Sequence, residues 1–187
     1  MPPKVKITKD EIVCATLELL RREGEDAMNA RSIAAMLHCS TQPLFSNFAT
    51  MDELQRAVAG AAYKYYHSYL TEEMQGGKYP PYKAYGMAYV RFAKEEKQLF
   101  KVLFMCDRKG KDLLPTTDFS ESVDMIMQAN AISREVAELW HMEMWSFVHG
   151  IGTMLATSFL DLDEELISRM LTDIHTGLRT RHVGGTV

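Results

Sequence analysis

The sequence predicts an all-α protein, with an N-terminal three-helix head that contains a helix-turn-helix and a larger helical body behind it. Three observations carry that expectation. Apolar residues recur at three- and four-residue intervals in nearly every segment. Most of the six prolines fall between those segments rather than inside them. No stretch alternates apolar and polar residues between hairpin signals, and no internal repeat is present.

Thr8-Lys9-Asp10-Glu11 is a capping box, in which Thr8 and Glu11 satisfy each other's unpaired amides. Ile12, Ala15, Thr16, Leu19 and Leu20 follow it at helical spacing, and Gly24 ends this first helix behind Arg21 and Arg22. Asn29 is a good N-cap for a short second helix whose buried stripe is Ile33, Ala34 and Leu37. After the turn His38-Cys39-Ser40, a third helix is expected over 41–48, capped by Ser40. Pro43 near its start removes an amide that would be unpaired anyway. A fourth helix is expected to start near Met51-Asp52-Glu53 and end at Gln75-Gly76-Gly77. Helical patterns resume over 82–105, 119–131, 134–159 and 163–180, with 107–112 a polar connector and 182–187 a frayed tail. The expected division is a head at 1–50 and a body at 51–187, with helix 51–74 connecting them.

Composition limits the function classes. The 187-residue chain has a net charge of −4, so no overall basic character marks a nucleic-acid binder. Residues 1–56 hold seven Lys and Arg against eight Asp and Glu. Any DNA-binding face must therefore come from where charges sit, with Lys4, Lys6 and Lys9 as a short basic arm. The three cysteines, Cys14, Cys39 and Cys106, are widely spaced and form no CxxC, which argues against a disulfide framework or zinc module. The start lacks an apolar signal region, and no run approaches the roughly 20 apolar residues of a membrane span. The expectation is a reduced, cytoplasmic protein with no cofactor.

Two short helices joined by about three residues form a helix-turn-helix, the element that reads the major groove. Ala34 and Ala35 allow close approach, while Leu37, Leu44 and Phe48 fill the small core. With Leu44 inward, Gln42 and Ser46 point outward beside Pro43 and Phe45.

Residues 31–54 resemble the N-terminal domain of the TetR/AcrR family of bacterial regulators, whose pattern runs roughly R-x-I-A-x-x-x-G-V-S-x-x-x-L-Y-x-x-F-x-x-K-x-x-L. Arg31, Ile33, Ala34, Ser40, Leu44, Phe48, Asp52, Glu53 and Leu54 match in type and spacing. The head is about a quarter of the chain. Three positions depart from the pattern: Phe45 stands for Tyr, Met51 for Lys, and His38 for the turn Gly. The resemblance implies that Gln42 pairs with an adenine edge and Arg31 with a guanine, while Thr41 and Pro43 touch base edges or thymine methyls. It implies that Asn29, Ser40 and Asn47 bond phosphates, as do backbone amides opening the fourth helix.

In the body, Trp145-Ser-Phe-Val-His-Gly resembles the WHG version of the TetR-type C-terminal domain. That resemblance implies a homodimer formed by this helix and the last one. Trp145, Val148, Ile151 and Leu155, with Leu166, Met170, Ile174 and Leu178, are the expected dimer surface, although both faces also suit intramolecular core. The family also implies a pocket for a small-molecule effector. Tyr66, Met87, Tyr89, Phe92, Phe104, Met125, Met144 and Phe147 are its candidates, although each is ordinary core filler taken singly. His141 and His149 are eight residues apart, which is not a metal-pair spacing, and each reads as a satisfied core histidine.

No nucleophile–base pair, phosphate loop or metal spacing is recognisable, so an enzyme is not expected. The leading expectation is a homodimeric regulator, a repressor released from palindromic DNA by an effector. The alternative is a dimeric interaction module that no longer reads DNA.

Overall fold

The computed structural model describes residues 7–106 and 119–184; Lys4, Lys6 and the 107–112 connector lie outside them. Every regular element among the described residues is helical. The helices are α1 (Lys9–Glu23), α2 (Ala30–Met36), α3 (Gln42–Asn47), α4 (Met51–Gly76), α5 (Pro81–Glu95), α6 (Lys97–Phe104), α7 (Ser120–Asn130), α8 (Arg134–Ala156) and α9 (Glu164–Val183). None of them is long and apolar enough to cross a membrane.

The chain forms two compact units. One comprises Met1–Tyr65 and Glu96–Leu114, the other Tyr66–Glu95 and Pro115–Val187. This partition differs from a cut after residue 50, because the first half of α4 and all of α6 pack with α1–α3. Leu54, Val58 and Ala62 of α4 and Leu99, Phe100 and Leu103 of α6 are buried, as are Ile12, Leu19 and Leu20 of α1.

In the first unit, local chemistry sets each helix end. Thr8 Oγ1 accepts from Glu11 N at 3.2 Å while Thr8 N donates to Glu11 at 2.8 Å, completing the capping box. Gly24 ends α1 at φ +87°, where its amide returns to Leu20 O at 2.9 Å. The expected 82–105 helix is broken in two at Glu96. Arg21 of α1 binds the Glu96 carboxylate with two nitrogens, Nε at 2.8 Å, and Tyr65 Oη lies 3.3 Å from the same group. Glu96 is buried, and its hydrogen bond raises the guanidinium pKa further above its ordinary value.

In the second unit, α5, α7, α8 and α9 surround a core of Met87, Phe92, Ile126, Trp140, Ile151, Leu155, Ile167 and Leu171. Gly86 permits the close approach of α5: a Cβ there would stand 2.9 Å from Leu171 Cδ2 and 3.6 Å from Val148 Cγ2. The last helix runs through Val183, so His182 is not a frayed residue. Its Nε2 meets Glu143 at 2.8 Å and its ring stacks on Trp140 with 5.9 Å between centroids.

Candidate nucleic-acid interface

The site is built on α2, its turn and α3. Asn29 caps α2, its Oδ1 accepting from Arg31 N at 3.2 Å and Ser32 N at 3.1 Å. The helix ends at Leu37 in a Schellman arrangement. His38 N returns to Ala35 O at 3.1 Å and Cys39 N to Ala34 O at 2.9 Å. His38 takes φ +51°, so it occupies in the left-handed region the place that glycine favours. The turn geometry is therefore kept without the glycine, at a backbone cost of about 1–2 kcal/mol.

The third helix starts one residue later than expected. Thr41 is its N-cap residue, no side chain caps it, and Pro43 falls in its first turn. Leu44 and Phe48 are 1% and 4% exposed, and each such burial is worth about 2–3 kcal/mol, which fixes the helix's rotation. That rotation turns Gln42, Phe45 and Ser46 outward, with Phe45 half exposed. Arg31 and Ser40 are exposed as well, while Thr41 and Pro43 are half-buried. Gln42, Phe45 and Ser46, three and four residues apart, share one outward side of α3.

Two expected phosphate ligands are already engaged within the chain. Asn47 Nδ2 donates to Pro43 O at 2.8 Å and to Ile7 O at 3.2 Å, which uses both amide protons. Asn47 therefore ties α3 to the segment before α1 and has no donor left for a phosphate. Asn29 works mainly as a cap, and its Nδ2 already reaches Ala27 O at 3.3 Å. Ser46 Oγ donates to Gln42 O at 2.9 Å, leaving its lone pairs as acceptors for a base amino group. At the entrance to α4, Glu53 N donates to Thr50 Oγ1 at 3.1 Å and Ala49 N to Glu53 at 2.8 Å. Lys9 Nζ lies 3.3 Å from Glu53 and 4.9 Å from the centre of the Phe48 ring, so this arm cation is anchored over the α3–α4 junction.

The residues expected at a dimer surface divide. Val148, Ile151 and Leu155 are 5%, 1% and 2% exposed in a single chain, and Val148 stands beside Leu171 of α9 against Gly86 of α5. They are core of the single chain. Trp145, Leu166, Met170, Ile174 and Leu178 are half-buried. The apolar residues that α8 leaves to solvent are Leu139 and Met142, on the same side as Ser146 and Gly150.

Of the effector-pocket candidates, Tyr66, Met87, Tyr89, Phe92 and Met144 are buried in the second unit, with the Tyr66 ring 5.2 Å from Phe92 and 6.0 Å from Tyr89. Met125 and Phe147 are half-buried there, whereas Phe104 belongs to the other unit. Sequence reasoning passed over a polar feature beside them. Trp140 Nε1 and His141 Nε2 are buried without a hydrogen-bond partner among the described residues. His141 is thus only half satisfied, through Tyr82 Oη at 3.0 Å from its Nδ1. An unmatched buried donor costs about 1–3 kcal/mol, so two on consecutive residues stand out. Burial lowers the His141 pKa to about 4 and also pushes that of His149 down. The only sequence signal was the Trp-His pair in an apolar helix, which says nothing about partners. Among the described residues no group of three His, Cys, Asp or Glu is placed to hold a metal ion.

No family model matches the chain, and no curated protein matches it. Among solved structures it is similar to one described as the Streptomyces coelicolor TetR family protein ActR in complex with (S)-DNPA. Identity is 20% and the TM-score 0.46, over 95% of this chain and 100% of that one.

Proposed function

We propose that this chain is a DNA-binding transcriptional regulator, a homodimeric repressor released from a palindromic operator by a small-molecule effector. The carrying observation is the helix–turn–helix itself: Leu44 and Phe48 lock α3 so that Gln42, Phe45 and Ser46 face outward. Gln42 reads an adenine edge, Arg31 a guanine, and Phe45 packs on a thymine methyl or sugar. Ser40 and the first amides of α4 position the phosphates. Leu139 and Met142 of α8, with Leu166, Met170, Ile174 and Leu178 of α9, supply the dimer contact. Gly150 and Gly177 leave open space for it, since a Cβ at either would meet nothing within 4 Å. The effector binds in the second unit and must favour one of two states of the dimer to release the DNA.

The test is selection of bound sequences from a random duplex library, repeated with Gln42→Ala. The expected result is a near-palindromic site, with the variant losing preference at one position per half-site. No enrichment even at low salt refutes the reading. One observation favours the alternative, a dimeric interaction module: the outward side of α3 carries no cation, and half-exposed Phe45 offers no hydroxyl for a phosphate. Enrichment of an operator excludes that alternative.

A further inference from the structure

We propose that the effector is an uncharged, flat aromatic molecule bearing a carbonyl-type oxygen, which accepts a hydrogen bond from His141 Nε2 while the rings lie against Phe119, Trp145 and His149. The proposal deepens the effector reading above and rests on it.

His141, Trp145 and His149 stand four residues apart and so line one side of α8. Trp145 and His149 stack at 4.9 Å with 15° between their planes. Phe119 closes the row, its ring centre 4.5 Å from His141 and 5.8 Å from Trp145. Phe119, Trp145 and His149 are each half-buried, so this wall of flat rings is accessible at its edges, whereas His141 is 8% exposed. A flat ligand gains dispersion and quadrupole contacts along such a wall.

The oxygen follows from proton placement. Among the described residues, His141 Nδ1 is the acceptor within reach of the Tyr82 hydroxyl. With the hydroxyl assigned as the donor to Nδ1, the proton of the neutral ring falls on Nε2. Nε2–H is then a buried donor that lacks an acceptor, with Trp140 Nε1–H beside it in sequence as a second one. A carbonyl oxygen supplies the acceptor that His141 Nε2–H lacks. The ligand's neutrality follows from the surroundings: His141 faces the rings of Tyr82 and Phe119, His149 those of Tyr89 and Trp145, and burial lowers the pKa of both histidines. An ionised ligand would lose its hydration beside neutral rings that return no counter-charge.

The test measures quenching of tryptophan emission in the full chain by three probes of one shape: 2-acetonaphthone, 2-ethylnaphthalene and 2-naphthoate. The ketone is expected to bind about fivefold or more tighter than the hydrocarbon, as one matched donor predicts, and tighter than the carboxylate. His141→Phe should bring the ketone down to the level of the hydrocarbon, and His141→Gln, which keeps an N–H donor, should restore part of the preference. Circular dichroism checks that each variant folds. Equal binding of ketone and hydrocarbon means that water or a side chain already meets the donors, and overturns the inference. Tightest binding by naphthoate overturns it too, as does failure of all three to bind. The regulator reading fails separately, through the absence of a selected duplex, whichever probe binds.

Discussion

Removing the Arg21 fork should unsettle the first unit more than its surface position suggests. The perturbation is Arg21→Met, which keeps most of the aliphatic stem over Tyr65, where the guanidinium now lies 5.0 Å from the ring centre. What is lost is the two-nitrogen grip on Glu96, whose side chain is 9% exposed against 34% for Arg21. Stripping one partner from a fully buried pair costs about 3–5 kcal/mol, and the partial exposure of Arg21 reduces that to about 2. For a chain of this size the melting temperature should fall by about 4–8 °C. Thermal denaturation followed by circular dichroism measures it. The double variant Arg21→Met/Glu96→Gln, with no charge left buried, should regain at least half of the loss. A shift under about 1 °C for the single variant, or a double variant no better than the single, would refute the idea that the buried carboxylate depends on Arg21.

Three further outcomes are expected. His38→Gly should stabilise by about 0.5–1 kcal/mol, because relief of the left-handed strain exceeds the extra freedom of glycine in the unfolded chain; a denaturant midpoint that moves down contradicts the turn geometry. Gly60→Ala should stabilise α4 by about 0.5–1 kcal/mol, since its Cβ meets nothing within 4 Å, whereas Gly86→Ala should gain nothing against Leu171 Cδ2 at 2.9 Å; equal melting shifts for the two would count against the packing. Stability should also fall with acid. The folded His141 pKa of about 4 lies below the ordinary 6.5, so its neutral form contributes fully above pH 6.5 and that contribution is lost as pH falls toward 4. His149 and His175 shift in the same direction. The His141 part amounts to up to about 3 kcal/mol, and denaturant titrations at pH 7 and pH 4.5 should show it, with a flatter profile in His141→Phe.

What could be read from the sequence was what neighbouring residues decide. The Thr8–Glu11 box and the Asn29 cap are bonds over two or three residues, so residue type and spacing announce them. The head's rotation was legible from Leu44 and Phe48 for the same reason. The break at Glu96 was not, because neither Gly nor Pro marks it and the chain is gripped there by Arg21, 75 positions away. Periodicity showed that α8 has an apolar stripe through Val148, Ile151 and Leu155, but it does not say what covers a stripe; here all three are buried within one chain, Val148 against Gly86 of α5. Asn47 has the side chain of a phosphate ligand, yet its protons go to Ile7 and Pro43, a matter of tertiary distance.

The chain's two tryptophans, Trp140 and Trp145, both lie on α8 in the second unit. Native emission is therefore blind to the first unit, whereas the far-ultraviolet helical signal sums over both. One unlabelled sample, melted once under both detectors, separates the case where the units unfold together from the case where the first unit lets go first. The placement of two side chains thus provides a built-in gauge of cooperativity between the two units.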